Sequence, residues 1–513
     1  MSVGQAVRAA APDATGGARP RSVAIVNLGC KVNQSEMEAA ARLLRQAGVP
    51  LVDPHGAADL YLVNTCTVTS TADEKSRSAV RRVRRANPEA QVVVTGCSVQ
   101  VDPGAFALVD AGARLVGNED KAAFLAELAT LLRIGSGTRD AGDQPHAPLD
   151  AALPTLSGVE AVAEPAMAVR IDGIADDRAS VERTRAFVKV QDGCSFHCTY
   201  CIIPRARGDE RSLAPDVVLA DVRRALATGH REIVLTGINI GTYDGGRSER
   251  GARGSHVRAA LTLSGLVRRI LAETPVERIR LSSIEPQHVD DDLLAAWTGE
   301  GAGRCLPHLH LPLQSGDDGI LRRMGRRYAS ADYTRVVERV RAAIPGVAIH
   351  ADVIAGFPTE DDAAFARSLA FLRSLDPAGL HVFRYSARPG TPAARMAGQV
   401  PDAVRKERAA LLLGEAAACR RRFAARAAGG RRSVLFEEPA DGREPGAGWV
   451  GHAEDYVVVR AGAADGRSLA GEMAIVLIDG ADPADPERAL GRIERVVAGP
   501  AAGHAPPVVR LPA

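Results

Sequence analysis

The sequence predicts an α/β protein in three parts: an N-terminal α/β domain with a parallel sheet, a central partial (β/α)6 barrel, and a small C-terminal β-barrel. Three observations predict this fold class. Short apolar runs alternate with helical patterns from residue 22 onward, six such pairs follow one another in the middle of the chain, and short strands with Gly, Pro and Asp turns close it. A length of 513 residues also exceeds one ordinary core.

The N-terminal domain, residues 22–133, carries three strand patterns that each meet a cysteine. Its strands are predicted at 22–29, 59–66 and 90–97, with helices at 33–47 and 71–86. The cysteines at the strand ends are Cys30, Cys66 and Cys97. Ligands of such sheets bind beyond the carboxyl ends of the strands, so the three cysteines are expected to converge on one point.

The central domain, residues 183–428, holds the six β/α units. Its strands are predicted at 186–191, 232–239, 278–284, 308–315, 348–357 and 379–386. A Gly- and Arg-rich stretch at 244–258 interrupts the pattern and is expected to be an exposed loop. A long helix is predicted at 402–428. Six consecutive units favour a partial barrel.

The C-terminal domain, residues 429–500, is predicted to be all β, with strands at 433–438, 449–461, 472–479 and 489–497. Three other segments have the composition of irregular chain. They are a disordered lead-in at 1–21, a linker or insertion at 134–182, and a tail at 501–513.

Composition excludes a few classes of protein. The net charge of +2 neither demands nor excludes a nucleic-acid partner. No apolar run approaches the roughly 20 residues needed to span a bilayer, and the first 21 residues lack the apolar region of a secretory signal. We therefore expect a cytoplasmic protein without a membrane partner. In such a chain, eight cysteines favour metal or catalytic roles over disulfides.

The strongest chemical signal is the C-x3-C-x2-C run formed by Cys194, Cys198 and Cys201, just after the first barrel strand. Three thiolates can hold three irons of a [4Fe–4S] cluster and leave the fourth iron open to another ligand. The alternative is a zinc site with His197 as fourth ligand, but its position between the first two cysteines suits neither usual finger spacing. Cys30, Cys66 and Cys97 could hold a second cluster with an open site, or be inert buried thiols.

The C-x3-C-x2-C spacing resembles that of the radical S-adenosylmethionine (SAM) superfamily. Tyr200 lies at the aromatic position that packs near adenine in that superfamily, and LTG at 235–237 and ADVIAGFP at 351–358 resemble its SAM-binding segments. The bland interpretation of these segments is a buried strand followed by a turn. The resemblance implies SAM contacts at Tyr200, Thr236, Gly237, Ser283, Gln314 and Ile354.

Further motifs resemble the methylthiotransferases within that superfamily. They are NLGCKVNQSEME (27–38), NTCTVTSTADEKSR (64–77), TGCSVQ (95–100), CTYCIIPRARG (198–208), LSSIEP (281–286), LHLPLQSGDDGILRRMGRRY (309–328), IAGFPTE (354–360) and FRYSARPGTPA (383–393). The resemblance covers about residues 22–428. The C-terminal barrel resembles the family's TRAM domain, an RNA-binding module in many members, although its acidic stretches put RNA binding by this domain in doubt.

The resemblance implies the reaction. Methylthiotransferases insert an SCH3 group at an unactivated C–H carbon, using two [4Fe–4S] clusters and two SAM molecules per turnover. One cluster carries the sulfur, which the first SAM methylates, and the other cleaves the second SAM to a radical that abstracts the target hydrogen. A C–H hydrogen of this kind is not acidic enough for general-base chemistry. A sulfur donor and an electron donor are implied, and the sequence identifies neither.

Local motifs indicate the substrate. The sequences GCKVNQ, NTCTVT and CTYCIIP resemble the enzymes that act on N6-threonylcarbamoyladenosine beside the anticodon of tRNA, whereas GCPKN and GCQMN mark the other two subfamilies. The alternatives are isopentenyladenosine in tRNA, a ribosomal-protein aspartate, and a non-enzymatic iron–sulfur protein that binds RNA.

A basic helix supports an RNA partner. The stretch 75–85 contains Lys75, Arg77, Arg81, Arg82, Arg84 and Arg85, which would attract the anionic anticodon loop of tRNA. The alternative is a solvated helix in an Arg-rich protein. Cys305 and Cys419 match no cluster motif and are interpreted as structural thiols.

Overall fold

The computed structural model describes residues 22–133, 184–246, 261–440, 448–462 and 466–497, with side chains described up to residue 128 in the first range. The predicted lead-in, linker and tail, and most of the predicted loop at 244–258, lie outside the described residues. The chain divides into two compact units, one built on the N-terminal domain and one containing the central barrel and the C-terminal strands. The α/β fold class is confirmed.

The N-terminal unit is a five-stranded parallel sheet in the order β2-β1-β3-β4-β5. Its elements are β1 (Val23–Asn27), α1 (Lys31–Gln46), β2 (Leu51–Val52), β3 (Leu60–Thr65), α2 (Ser70–Ala86), β4 (Gln91–Gly96), α3 (Cys97–Val101), α4 (Pro103–Ala107), β5 (Arg114–Val116) and α5 (Lys121–Arg133). Side chains of the central strand alternate between two cores. Leu62 packs in the core that contains Met37 and Phe124, and Val63 packs in the core that contains Val80. Burial on both faces explains the continuous apolar run.

The barrel of the second unit consists of two three-stranded parallel sheets, β6-β9-β10 and β11-β12-β13. Its elements are β6 (Arg185–Lys189), β7 (Gln191–Asp192), α6 (Ile203–Arg207), β8 (Arg211–Ser212), α7 (Pro215–Ala227), β9 (Glu232–Thr236), α8 (Leu263–Glu273), β10 (Arg278–Leu281), α9 (Asp291–Thr298), β11 (His308–His310), α10 (Asp318–Met324), α11 (Ser330–Ala343), β12 (Ala348–Ala355), α12 (Asp362–Leu375), β13 (Gly379–Arg384) and α13 (Asp402–Arg426). Single bridges, Ile279 with Cys305 and Ser283 with His310, connect the two sheets. Cys305 and Cys419 are buried in this core, as expected of structural thiols.

All six barrel strands are shorter than the sequence predicts, and β11 differs most. β10 ends at Leu281, and β11 covers three residues where an apolar run of eight was expected. The run beyond β11 contains Pro312, which has no N–H to donate to a sheet. It also contains Gln314, whose φ of 73° lies in the left-handed region. The segment after β11 is therefore buried without being a strand.

The C-terminal strands close into a five-stranded barrel in the order β14-β15-β16-β18-β17. They are β14 (Arg431–Pro439), β15 (Trp449–Ala453), β16 (Val458–Ala461), β17 (Met473–Asp482) and β18 (Asp485–Val497). The prediction of one strand over 449–461 is wrong, because a turn separates β15 from β16. Tyr456 in that turn has a φ of 69°. Its ring stacks on His308 of the central barrel, with 4.3 Å between the ring centres.

A buried charge network lies where the C-terminal barrel meets the amino ends of the central strands. Glu232 accepts hydrogen bonds from Arg278 at 2.9 Å and from Arg280 at 2.8 Å. Burial alone would raise the pKa of Glu232, but the two guanidinium groups lower it to about 2. Arg278 also donates to the carbonyl oxygen of Ser433 at 2.9 Å. Because both arginines are almost completely buried, the network depends on these partners.

Candidate active site

Cys30, Cys66 and Cys97, here called the strand-end triad, meet around one buried amide. Cys30 precedes α1, Cys66 follows β3, and Cys97 begins α3 directly after β4. The sulfur atoms of Cys30 and Cys97 lie 3.9 and 4.0 Å from Oδ1 of Asn33. The same Asn33 side chain donates from Nδ2 to the carbonyl oxygen of Thr65, next to Cys66, at 3.0 Å. Asn33 therefore links the three strand ends.

A close approach of backbone segments brings Cys66 beside Cys30. Gly29 has a φ of 135°, and a Cβ atom at this position would lie 3.2 Å from the Cβ of Cys66 and 2.5 Å from Nδ2 of Asn33. Any larger residue would displace the asparagine. Cys30 is exposed, whereas Cys66 and Cys97 are buried. The triad thus has one accessible side, as a cluster with an open iron requires.

Cys194, Cys198 and Cys201, here called the loop triad, come from a single loop that follows β7. The amide of Cys201 donates to the carbonyl oxygen of Cys198 at 3.0 Å. The amide of Phe196 donates to the sulfur of Cys194 at 3.4 Å. Amide hydrogen bonds to cysteine sulfur are a feature by which proteins tune iron–sulfur clusters. This loop therefore fits a [4Fe–4S] cluster.

Hydrogen bonds to distant segments fix the loop. Thr199 donates through its amide to the carbonyl oxygen of Met324 at 2.9 Å, and through its hydroxyl to that of Arg323 at 2.8 Å. Its own carbonyl oxygen accepts from the amide of Ala393 at 2.9 Å. One residue inside the cysteine run is thus attached to two other parts of the barrel domain.

Burial disfavours the thiolate form of two cysteines of the loop triad. It raises the pKa of Cys201 to about 12 and also raises the pKa of Cys194. Iron binds the thiolate, so ligation releases a proton from each of these cysteines. The cluster would supply the favourable free energy that offsets burial of the charge.

Gln191 connects the loop triad to the segment after β9. Its Oε1 accepts from the amides of Ile238 and Asn239 at 3.0 and 2.8 Å, and its Nε2 donates to the carbonyl oxygen of Gly193 at 2.8 Å. The predicted SAM-contact residues Thr236 and Gly237 lie at this turn. A Cβ on Gly237 would come within 2.9 Å of the Gln191 backbone oxygen. Sequence reasoning missed Gln191, since a glutamine in a strand carries no distinctive signal.

Tyr200 and Ile354, both predicted to contact SAM, lie in one apolar cluster. The ring of Tyr200 packs edge-on against Phe357, with 6.5 Å between ring centres. Ile354 and Met324 belong to the same cluster. Burial raises the pKa of Tyr200 well above its usual value, so the phenol stays neutral. Such a surface suits the flat face of a purine.

Gln314 and Ser283, the other two predicted SAM contacts, lie beyond the carboxyl ends of β11 and β10, respectively. The carbonyl oxygen of Gln314 accepts from the amide of Ile354 at 2.9 Å, and its amide donates to the carbonyl oxygen of Asp352 at 2.7 Å. The left-handed conformation of this buried glutamine is a costly feature typical of functional sites. Ser283 shares a hydrogen bond with Nδ1 of His310 at 2.9 Å. SAM binding by these residues stays a prediction.

Arg326 is a site residue that the sequence did not single out. Its Nη1 donates to the sulfur of Cys198 at 3.5 Å, and its guanidinium forms an ion pair with Glu285. Burial raises the pKa of Glu285, and Arg326 opposes that effect. A buried positive charge next to a cluster ligand makes the cluster easier to reduce. The run RRMGRRY contains four arginines, and only the fold distinguishes this one.

The predicted RNA-binding residues lie on α2 of the N-terminal unit. The opposite face of the helix buries Ala79, Val80 and Val83, so the basic face points outward. Exposed members of the set are Lys75, Arg81, Arg82 and Arg85, and Arg77 is half-buried. Arg84 differs, because its guanidinium pairs with Asp110 at 2.9 Å and also donates to the carbonyl oxygen of Ala90.

Sequence comparisons agree with each of the two triads. The model of the uncharacterised protein family UPF0004 matches residues 22–116, and the radical SAM superfamily model matches residues 188–372. The two matches cover the strand-end triad and the loop triad respectively. The second match defines the class of the protein: a radical SAM enzyme, whose chemistry uses SAM and a [4Fe–4S] cluster.

Relatives narrow the class. The chain is 35% identical over 438 residues to the threonylcarbamoyladenosine tRNA methylthiotransferase MtaB of Bacillus subtilis (strain 168). The aligned part covers 85% of this chain and 90% of that protein. It is 34% identical to the tRNA-2-methylthio-N(6)-dimethylallyladenosine synthase of Acidothermus cellulolyticus, over 77% of this chain and 73% of that one. This chain belongs to the radical SAM methylthiotransferase family, which confirms the resemblance and the prediction of an enzyme.

Similar solved structures include that of the radical SAM methyltransferase TsrM from Kitasatospora setae. It is 17% identical and has a TM-score of 0.48, over 73% of this chain and 77% of that one.

Among the described residues, no helix combines the length and the apolar character that crossing a membrane requires.

Proposed function

We propose that this enzyme inserts an SCH3 group at C2 of N6-threonylcarbamoyladenosine next to the anticodon of tRNA, with two [4Fe–4S] clusters and two SAM molecules per turnover. The observation that carries the proposal is the pair of cysteine triads, one with Cys30 exposed and the other partly exposed. The substrate is supported by the similarity to the threonylcarbamoyladenosine tRNA methylthiotransferase of Bacillus subtilis.

The residues around the loop triad have distinct tasks in this proposal. Cys194, Cys198 and Cys201 would hold the cluster, which together with SAM would supply the radical chemistry. Tyr200 and Ile354 provide the apolar surface for adenine, and Gln191 holds the turn at Gly237 in place. Arg326 keeps a positive charge at Cys198. The strand-end triad holds the second cluster, and Asn33 fixes its three strand ends.

The nearest alternative substrate is isopentenyladenosine in tRNA, supported by the similarity to the tRNA-2-methylthio-N(6)-dimethylallyladenosine synthase of Acidothermus cellulolyticus. A ribosomal-protein aspartate is the other alternative. Mass spectrometry of tRNA nucleosides from cells lacking this protein separates them. We expect the methylthio form of threonylcarbamoyladenosine to disappear and to return with the wild-type gene, but not with Cys198→Ala. If that nucleoside is unchanged, the substrate proposal is wrong.

We also propose that α2 contributes to tRNA binding. Neutralising phosphates with exposed basic side chains releases counterions, which makes the affinity depend on salt. Charge reversal of Arg82 and Arg85 should weaken tRNA binding by about tenfold and flatten the slope of log Kd against log salt by roughly one to two. The matched control is Arg335→Glu, on a 70% exposed side chain of α11. An equal loss in the control would mean that α2 is not the RNA-binding face.

The three domains are proposed to span 22–133, 183–428 and 429–500. These limits are supported by the end of α5 at Arg133, the end of α13 at Arg426, and the start of β14 at Arg431.

A further inference from the structure

The interior of the central barrel contains three potential metal ligands outside the two cysteine triads. His310, Asp352 and His381 come from three adjacent parallel strands, β11, β12 and β13. Asp352 is in register with His381. The potential ligand atoms of the three residues all lie within 4.8 Å of one another. Among the described residues, no other group of three His, Cys, Asp or Glu side chains has its ligand atoms this close together.

Both imidazoles approach the same carboxylate oxygen. Nε2 of His310 lies 2.7 Å from Oδ1 of Asp352, and Nδ1 of His381 lies 3.2 Å from it. The two rings are nearly perpendicular, at 75°, with 4.7 Å between their centres. Ligand atoms bound to one zinc ion at its usual bond lengths are about 3.3 Å apart. Small side-chain rotations therefore suffice to place an ion between the three atoms.

A hydrogen bond outside the group orients the first ligand. Ser283 bonds to Nδ1 of His310 at 2.9 Å, which leaves Nε2 directed at Asp352. Metal-binding histidines almost always have such a partner on the second ring nitrogen, because it fixes the tautomer and the ring orientation. The ligands stand on strands, whose positions are held by the sheet ladder, so the geometry is rigid.

The three side chains differ in their exposure to solvent. The side chains of His310 and Asp352 are 10% and 18% exposed, whereas that of His381 is 50% exposed. An ion can therefore enter past His381 and keep a coordination position open. Two histidines and one carboxylate form the donor set that divalent first-row metals use when a further ligand must bind.

We propose that His310, Asp352 and His381 form a third metal site, which binds one divalent transition ion of the zinc type with an open coordination position. The site is separate from both cysteine triads and uses none of their residues. The inference rests on geometry alone and stands or falls independently of the tRNA substrate.

The test measures zinc in the intact enzyme with its iron–sulfur clusters in place. The enzyme is equilibrated without oxygen against free zinc, and iron, sulfide and zinc are quantified for each chain. We expect one zinc per chain, with an X-ray absorption spectrum at the zinc edge that shows nitrogen and oxygen neighbours and imidazole scattering. Sulfur neighbours would mean that zinc has entered a cysteine triad, and that result would overturn the proposal.

Variants assign the ligands. Asp352→Asn keeps the shape of the side chain but removes its charge, and His381→Ala changes a half-exposed residue, so neither depends on repacking. Each should weaken zinc binding by more than the roughly 10–100-fold that loss of an outer partner costs, and Ser283→Ala should fall within that smaller range. The matched control is His308→Gln, two residues from His310 on the same strand. Unchanged iron and sulfide contents show that each variant is folded.

Zinc affinity that is equal in Asp352→Asn and in wild type would overturn the proposal, since a neutral amide cannot replace the carboxylate. Absence of zinc from the wild-type enzyme at micromolar free zinc would do the same. In that case the three side chains form only a hydrogen-bonded group in the barrel interior.

Discussion

The two cysteine triads differ in how their geometry arises. The loop triad lies within one short loop, so its spacing is largely a local property of the chain. The strand-end triad needs three parallel strands in register, and Asn33 joins their ends. We therefore expect the loop triad to tolerate perturbation of the surrounding strands better than the strand-end triad does. Two sets of three cysteines can therefore differ in how strongly their geometry depends on the stability of the surrounding fold. Substitutions in and around each triad can measure this difference.

The largest effect is expected from Cys198→Ala in the loop triad. Losing one of three thiolates should remove the cluster that binds SAM, so 5′-deoxyadenosine formation should fall to the level without enzyme. The strand-end triad should keep its iron, because it is a separate unit of structure. Product chromatography and iron analysis check this. Near-normal deoxyadenosine from the variant would refute the role of the loop triad.

The second effect is expected from Cys66→Ala in the strand-end triad. This variant should still cleave SAM, because the loop triad is intact, but should form no methylthiolated product. The measurement is the ratio of product to 5′-deoxyadenosine under reducing conditions. Cys305→Ala is the control, a buried thiol outside both triads, and should leave the ratio unchanged. Product at the wild-type level would remove Cys66 from the site.

A smaller effect is expected from Gln191→Ala, which changes the support of the loop triad and not its ligands. Its loss leaves the amides of Ile238 and Asn239 without their acceptor, which costs about 1–3 kcal/mol. SAM cleavage should therefore slow by about tenfold while cluster iron stays constant. Gln399→Ala, on an exposed side chain, is the control. Loss of iron from Gln191→Ala would mean that the residue is needed for the cluster itself.

The smallest effect on SAM cleavage, and the sharpest contrast between the triads, is expected from Asn33→Ala. This change removes a completely buried side chain that donates to Leu28 and Thr65, and should destabilise the N-terminal unit by about 1–3 kcal/mol. The variant should lose iron from the strand-end triad faster than wild type and cleave SAM normally. Gln46→Ala, exposed on the same helix, should do neither. Denaturant titration and timed iron release provide the measurements.

Much of this architecture can be predicted from the sequence, because the ends of the strands and the spacing of the cysteines can be recognised in the order of residues. The runs before Cys30, Cys66 and Cys97 are apolar on both faces, which marks buried parallel strands. The loop triad needs no fold at all to be recognised. The basic face of α2 also follows from residue order, except that Arg84 pairs with Asp110, which lies in the loop between α4 and β5.

The remaining features depend on contacts between residues far apart in the chain. Gln191 and Arg326 acquire their roles from segments that fold against them. The run 449–461 has the composition of one strand, yet Tyr456 takes a left-handed conformation and its ring stacks on His308. Likewise, His310, Asp352 and His381 are unremarkable singly and come together only through strand register.

The contact between the C-terminal barrel and the amino ends of the central strands bears on how such proteins evolve. The Arg280 guanidinium lies over the Tyr456 ring, 4.7 Å from its centre, and Arg278 donates to the carbonyl oxygen of Ser433. A chain cut after α13 would strip two buried cations of these neighbours and leave Glu232 as their remaining counterion. We therefore expect an exchange of the C-terminal domain between relatives to succeed only if Arg278 and Arg280 of the central barrel are inherited together with it.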